Sequence, residues 1–328
     1  MDSLWVSWED HRRSRELAAH FGAELKVLES PAARPVRYLV LTWRTFLLLL
    51  RTRPRLLFCQ NPSVVLAVWL SWWRPAFGYH LVVDRHSNFK FDTVDRPGLK
   101  WRVFHALSDY TLRRADLTIV TNQALCDIVV SRGGRGFVLQ DKLPDLAPRN
   151  PVAANGRRSI VFVCTFADDE PVAAVLDAAR VLGPDYRLLV TGNRARFDRD
   201  FGLPVPDNVE LTGFLPEQEY IDLLAGADAI LVLTSADYVL NCASYEAVAL
   251  GRPMVLTDTP TIRGYFGKGA CYVQLDPAGI AAGVSALFSD YERYRIEVGQ
   301  LRGELMADWA QRAAAFRSLI AVDAGARP

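Results

Sequence analysis

Residues 230–273 read ILVLTSADYVLNCASYEAVALGRPMVLTDTPTIRGYFGKGACYV. An apolar strand, a loop, a short helix carrying Glu246, the breaker Gly251-Arg252-Pro253, a second apolar strand and the acidic turn Thr257-Asp258 follow in order. Where an apolar strand runs into a helix N-terminus, backbone N–H groups and a partial positive charge favour a phosphate. Asn241 and Ser244 are strong helix-capping types, so the N–H groups that open this helix are the expected phosphate contacts. Glu246 lies in the first turns, where a carboxylate reaches a ribose hydroxyl. The plain alternative is an ordinary buried αβ unit with Glu246 a partly exposed helix residue.

Working outward, 328 residues suffice for two domains with large cores. Half are hydrophobic and 23% charged, which is a globular composition. The net charge of +1 hides an asymmetry: residues 1–150 hold 22 Lys and Arg against 14 Asp and Glu, the remainder 16 against 23. A basic first half suggests an anionic partner: nucleic acid, a phosphate-bearing lipid or an acidic membrane. The five cysteines are dispersed, odd in number and lack Cys-x-x-Cys, so they read as buried, reduced thiols of a cytoplasmic protein and not as a metal site. The N-terminal residues do not read as a signal peptide, and the most apolar window, Tyr38–Leu50, is too short to span a membrane and contains Arg44.

Strands and helices alternate from end to end, which predicts α/β architecture with parallel sheets. In the first half strands are expected at Leu4–Trp8, Glu24–Leu28, Leu56–Cys59, Tyr79–Asp84, Leu117–Thr121 and Gly136–Leu139. Helices are expected at Ser14–Phe21, Val36–Arg51, Ser63–Trp73, Leu99–Arg114 and Asn122–Arg132. The pattern restarts with strands at Ser159–Cys164, Tyr186–Thr191, Val209–Thr212, Ala229–Leu233, Met254–Thr257 and Cys271–Val273. Its helices are Val172–Leu182, Glu217–Ala225, Tyr245–Leu250, Pro277–Phe288 and a last one from about Tyr291 to Val322, with a break near Asp308. The proline-rich stretch 141–157 holds the linker, taken as 149–157, between domains 1–148 and 158–328, with the last helix crossing back to the first domain.

Tyr245-Glu246-Ala247-Val248-Ala249-Leu250-Gly251-Arg252-Pro253-Met254-Val255, followed by Thr257-Asp258, resembles the donor-nucleotide signature of GT-B glycosyltransferases, especially the family 4 group. Tyr238 stands where that signature has its first Glu. The resemblance implies two Rossmann-like, doubly wound domains facing a cleft, the second binding a nucleotide-sugar donor and the first the acceptor. In family 4 enzymes two cations on the loop after the first strand of the second domain hold the donor diphosphate. Here that loop is Cys164-Thr165-Phe166-Ala167-Asp168-Asp169-Glu170-Pro171, with carboxylates in their place. With Thr191-Gly192-Asn193 it is similar to a divergent bacterial subgroup that makes polysaccharides or lipid-linked glycans. The acidic run reads as a helix N-terminus.

By the same resemblance Thr165, Asn193, Gly213 and Phe214 are donor contacts on strand ends, Phe214 as a base-stacking ring or a core residue. Arg263 is either the missing cation or a surface arginine. In the first domain His11, Arg12 and Arg13 open a helix at the end of the first strand and suit an anionic ligand on the acceptor side. Asp84 is the first candidate for a catalytic base and His86 the second, since both end the fourth strand; each is alternatively a cap or a satisfied polar group.

Residues 36–55 and 63–74 mix arginines with tryptophans and aliphatics, which suits either buried helices or peripheral contact with a membrane interface. The expected function is transfer from a nucleotide sugar to a glycan or polyprenyl-linked acceptor at the cytoplasmic face of the plasma membrane. No metal, no other cofactor and no nucleic acid are expected. A nucleotide-sugar 2-epimerase of the same fold and a non-catalytic partner subunit are the alternatives.

Overall fold

The computed structural model describes residues 2–60, 63–86, 89–151 and 156–325. The chain forms two compact units, Met1–Lys142 with Trp309–Pro328, and Leu143–Asp308.

In the first unit β1 (Ser3–Ser7), α1 (Arg12–Phe21), β2 (Glu24–Val27), α2 (Arg34–Thr52), β3 (Leu56–Gln60), α3 (Val64–Phe77), β4 (His80–Asp84), α4 (Leu99–Arg114), β5 (Leu117–Val120), α5 (Gln123–Ser131) and β6 (Gly136–Val138) alternate. The sheet runs β2-β1-β3-β4-β5-β6, with every pairing parallel. Both faces are buried, so successive residues feed different cores. Leu4 and Val6 join Leu57, Cys59, Leu81 and Val83 on one face. Trp5 joins Phe58, Val82, Leu117 and Phe316 on the other.

The second unit repeats the plan with β7 (Arg158–Phe162), α6 (Val172–Leu182), β8 (Tyr186–Thr191), α7 (Arg194–Asp200), β9 (Val209–Gly213), α8 (Glu217–Gly226), β10 (Ala229–Val232), α9 (Cys242–Ala249), β11 (Met254–Thr257), α10 (Pro260–Tyr265), β12 (Ala270–Val273) and α11 (Pro277–Ser289). Its sheet runs β12-β11-β10-β7-β8-β9, also parallel throughout. Each sheet starts centrally, grows one way, then returns to grow the other way; this is the doubly wound, Rossmann-like topology. Ile160 and Phe162 pack on one face, Val161 on the other.

Several expectations are corrected. The final helix, α12 (Tyr291–Gly325), is continuous through Asp308, because Leu301, Leu305, Trp309, Ala313 and Phe316 are all buried and hold it on both sides of that residue. Its Trp309 indole donates to the Gln140 carbonyl at 3.1 Å. The short helices α7 and α10 were not expected, and α9 begins at Cys242 instead of Tyr245. Leu143 packs on the second core, and the Arg149 and Asn150 amides donate to Asp222 at 2.6 and 3.1 Å. Much of the proline-rich stretch is thus bonded to the second unit, while its residues 152–155 lie outside the described residues. Cys59, Cys126 and Cys164 are buried, but Cys242 is exposed and Cys271 half-buried.

Gly269 links α10 to β12 with φ +68°, and a Cβ there would stand 2.6 Å from the Val298 backbone. A left-handed conformation costs a non-glycine residue roughly 1–2 kcal/mol, and overpacking roughly 1–3 kcal/mol more. Gly269→Ala is expected to lower stability by about 2–4 kcal/mol. Thermal unfolding of the variant checks this: an unchanged Tm contradicts it.

Candidate functional site

In the second unit, short polar side chains tie the carboxyl ends of the strands together. The Thr191 hydroxyl accepts from the Cys164 amide at 3.0 Å, bracing the ends of β8 and β7. The Thr257 hydroxyl accepts from the Thr234 amide at 3.0 Å, bracing β11 and β10. Asp169 accepts from the Thr234 hydroxyl, and its carbonyl accepts from the Ser235 amide at 2.8 Å. The β7–α6 loop is thereby anchored to the end of β10. Thr165 is exposed on this loop, and its amide donates to Glu170.

Asn193 follows β8 and caps α7, its side chain accepting from Ala195 and Arg196. Gly213 ends β9 at φ +75°. Phe214 is 87% exposed, which removes its core reading and leaves an open aromatic face. Asn241 occupies the N-cap position of α9 and Ser244 is buried in its first turn. Glu246 is also buried, and the Tyr220 hydroxyl donates to its Oε2 at 2.6 Å. That bond fixes the carboxylate and its orientation, which helix position alone does not.

Arg263 chelates Asp258 through two hydrogen bonds of 2.6 and 2.8 Å and lies over the Tyr272 ring at 4.2 Å. These contacts raise the arginine's pKa and lower the aspartate's, chiefly by that side-chain hydrogen bonding. The pair places Arg263 at the surface, which was one of its two expected readings, with Asp258 as its partner. A cation does reach the β7–α6 loop: Arg196 donates through Nη1 to the Thr165 carbonyl at 3.2 Å, while its Nε lies 3.5 Å from Asp200. Sequence reasoning missed it because it sits on α7, whose seven residues carry no apolar periodicity to announce a helix.

In the first unit the ends of β1 and β4 meet. Arg13 is buried, its Nε 3.0 and 3.1 Å from the two Asp84 oxygens, its Nη1 2.5 Å from Asp141 and its Nη2 2.8 Å from the Leu139 carbonyl. It is therefore spent inside the fold and does not await an anionic ligand. Arg12 pairs with Glu16 at 3.0 Å along the helix. His11 caps α1, accepting from the Arg13 amide through Nδ1 at 3.3 Å. Burial, then the neighbouring His86, lower its pKa.

Asp84 is fully buried. Burial opposes its ionisation, but Arg13 and His86 outweigh it and hold the carboxyl at about 2. A carboxylate so acidic and so enclosed is a poor base, which corrects the first choice made from sequence. Asp84 instead lies 3.3 Å from Nδ1 of His86, whose side chain is 13% exposed. An ionised carboxylate takes the Nδ1 proton as a hydrogen bond and leaves the lone pair on Nε2. The His11 ring centroid is 5.0 Å from that of His86. Sequence reasoning named both residues, but the burial that sets what each can do was invisible to it. Among the described residues no group of three or more His, Cys, Asp and Glu is arranged to hold a metal.

Removing one partner of a buried ion pair strands the other charge, at a cost of about 3–5 kcal/mol. Arg13→Leu is expected to cost that much at pH 7. In the wild type the Asp84 contribution is complete above its unfolded pKa and is lost only as pH falls toward about 2. In the variant burial raises the Asp84 pKa, so the deficit shrinks from pH 7 to pH 5. Urea unfolding at the two pH values reads this difference, and an equal deficit at both contradicts it.

Residues 157–290 match the family described as Glycosyl transferases group 1. Sucrose-phosphate synthase from Thermosynechococcus elongatus is similar over 98% of this chain and 100% of its own, with 14% identity and a TM-score of 0.76. The Anabaena protein HepE in complex with UDP-glucose is similar over 97% and 90%, with 14% identity and a TM-score of 0.66. S. aureus MnaA with UDP is similar over 91% of each chain, with 11% identity and a TM-score of 0.61. At these identities the likeness shows a shared fold. No curated protein matches the sequence. A segment matching the group 1 family thus spans the second parallel sheet, and the chain as a whole has the GT-B fold of these structures.

Proposed function

We propose that this chain is a glycosyltransferase that draws its sugar from a nucleotide-diphosphate donor held by the second unit and passes it to a glycan or polyprenyl-linked acceptor at the cytoplasmic face of a membrane. The observation that carries the donor half is Glu246. It is a buried carboxylate oriented by Tyr220, one helical turn beyond Asn241 and inside the matched segment. In that place it accepts ribose hydroxyls, while the α9 N-terminus faces the phosphates with its amides. Phe214 offers its exposed ring to the base. The HepE and MnaA complexes with UDP or UDP-glucose support this reading. The developing charge on the leaving diphosphate is met by N–H dipoles and by Arg196, with no metal.

On the acceptor side His86, oriented by Asp84, takes the proton of the attacking hydroxyl through Nε2. A cavity of about 560 Å³ opens where β1 and β2 end, lined by Trp8, Glu9, Asp10, Glu29 and Arg37. Its carboxylates suit sugar hydroxyls. It borders α2, whose outer face is apolar where a water-facing helix is polar. Val36, Leu39, Val40, Trp43 and Leu50 are 37–71% exposed and form one stripe, with Arg34, Arg44 and Arg51 also exposed on the helix. Trp72 of α3 is 53% exposed. An apolar stripe with arginines beside it matches the depth profile of an anionic lipid interface. Among the described residues no helix is long and apolar enough to cross a membrane, so the contact is peripheral.

Two measurements test the proposal. Thermal shift against a panel of nucleotide diphosphates and nucleotide sugars is expected to show stabilisation by at least one of them. Glu246→Ala is expected to weaken that ligand by tenfold or more, as for loss of a hydrogen-bonded charged partner; stabilisation by none sinks the donor reading. The full chain is also expected to sediment with phosphatidylglycerol vesicles. Leu39→Glu with Trp43→Glu is expected to release it, and indifference to that double change removes α2 as the contact.

A further inference from the structure

In the second sheet β7 is the switch point: the chain grows to β8 and β9 on one side and resumes with β10 on the other. Loops at this point of a parallel sheet are where anionic ligands meet backbone amides. In this protein a carboxylate is already there. Glu170 accepts from the Thr165 amide at 3.0 and 3.1 Å, from the Ala167 amide at 2.8 Å and from the Thr165 hydroxyl at 3.3 Å. The Cys164 thiol donates to it at 3.2 Å. Phe166, between the two donating amides, has φ +59°, and a left-handed residue in a turn gathers successive N–H groups into an anion-binding concavity.

Two features separate this arrangement from an ordinary helix cap. A capping acid accepts from the first turn of its own helix, whereas Glu170 precedes α6 and reaches backward, to amides three and five residues earlier. Packing also holds the turn, through contacts that do not involve Glu170. The Phe166 ring is buried at 5.4 Å from Phe197 and 6.1 Å from Phe201. Gly192 approaches so closely that a Cβ would lie 2.6 Å from the Cys164 carbonyl and 2.8 Å from the Phe166 ring. The concavity is therefore built by the fold and filled by the side chain.

We propose that Glu170 determines donor binding by occupying the place of a phosphate. Its carboxylate competes with the donor diphosphate for the Thr165 and Ala167 amides, and the loop receives the diphosphate only when Glu170 swings out. The inference rests on the nucleotide-donor reading for its ligand, and on the loop geometry for its residue. Arg196, held on the Thr165 carbonyl, is the cation that greets the incoming anion.

Glu170→Gln removes the charge and keeps an acceptor for the loop. Calorimetry of the full-length wild type and this variant should use UDP, uridine and inorganic pyrophosphate. The variant is expected to bind UDP and pyrophosphate about tenfold more tightly, the size set by one like charge a few ångströms away near a surface. Uridine affinity should not change. Unchanged or weaker binding of both anions overturns the proposal, and does so without touching the donor reading if UDP still binds. A gain for pyrophosphate with no binding of UDP or uridine to either protein keeps the loop assignment and sinks the nucleotide reading. If the variant fails to fold, the wild-type amide resonances of Thr165 and Ala167 decide instead. They are expected to shift on titration with pyrophosphate, and resonances that stay in place overturn the proposal.

Discussion

A parallel strand cannot pass directly to its neighbour; the chain must return across a sheet face first, and a helix is the compact way to do it. Both sheets obey this constraint at every pairing. All the carboxyl ends of one sheet consequently point the same way, and the residues just past them come from distant parts of the sequence. Arg13 and Asp84 are 71 positions apart and share two hydrogen bonds. Asp169 and Thr234 are 65 apart and brace the β7–α6 loop. Polar side chains gather at these ends because the strand interiors are covered on both faces.

The two units handle charge at their strand ends in opposite ways. The first buries it: Arg13 neutralises Asp84 and Asp141, and Asp84 in turn aligns His86. An imidazole with one nitrogen on a carboxylate has its orientation fixed by that contact. The second unit leaves its charge near solvent. Glu170 fills an amide concavity on the rim, Arg196 lies against the same loop, and Glu246 is drawn inside, where Tyr220 holds it. Rigid positioning suits a group that moves a proton, and an exchangeable contact suits a site that must admit and release a highly charged ligand.

The alternation of apolar strands and amphipathic helices was legible because burial on both faces leaves near-continuous apolar runs such as Leu57-Phe58-Cys59 and Ile230-Leu231-Val232. The short helices α7 and α10 escaped because six or seven residues hold too little periodicity. The expected break at Asp308 came from local polarity, and buried residues on both sides of it override that signal. Glu246, Asn241 and the β4 end could be named as candidates from residue type and position. The partners that define their roles were not: Tyr220 for Glu246, Arg13 for Asp84, Glu170 for the Thr165 amide and Asp258 for Arg263.

By itself the sequence determined the alternating architecture, the glycosyltransferase signature around Glu246 and the basic, tryptophan-rich character of α2 and α3. These depend on neighbours along the chain, on apolar periodicity and on helix-end chemistry, all of which are local. Only the tertiary structure decided which charges are spent and which are available. Arg13 and Asp84 look like site residues and neutralise each other in the interior. His86 is held at Nδ1 by Asp84 of that same pair, and Glu170 closes on amides that a composition-based reading leaves open. The reason is that a charged group's role depends on its desolvation and on the partner it meets, and both are properties of the packed molecule.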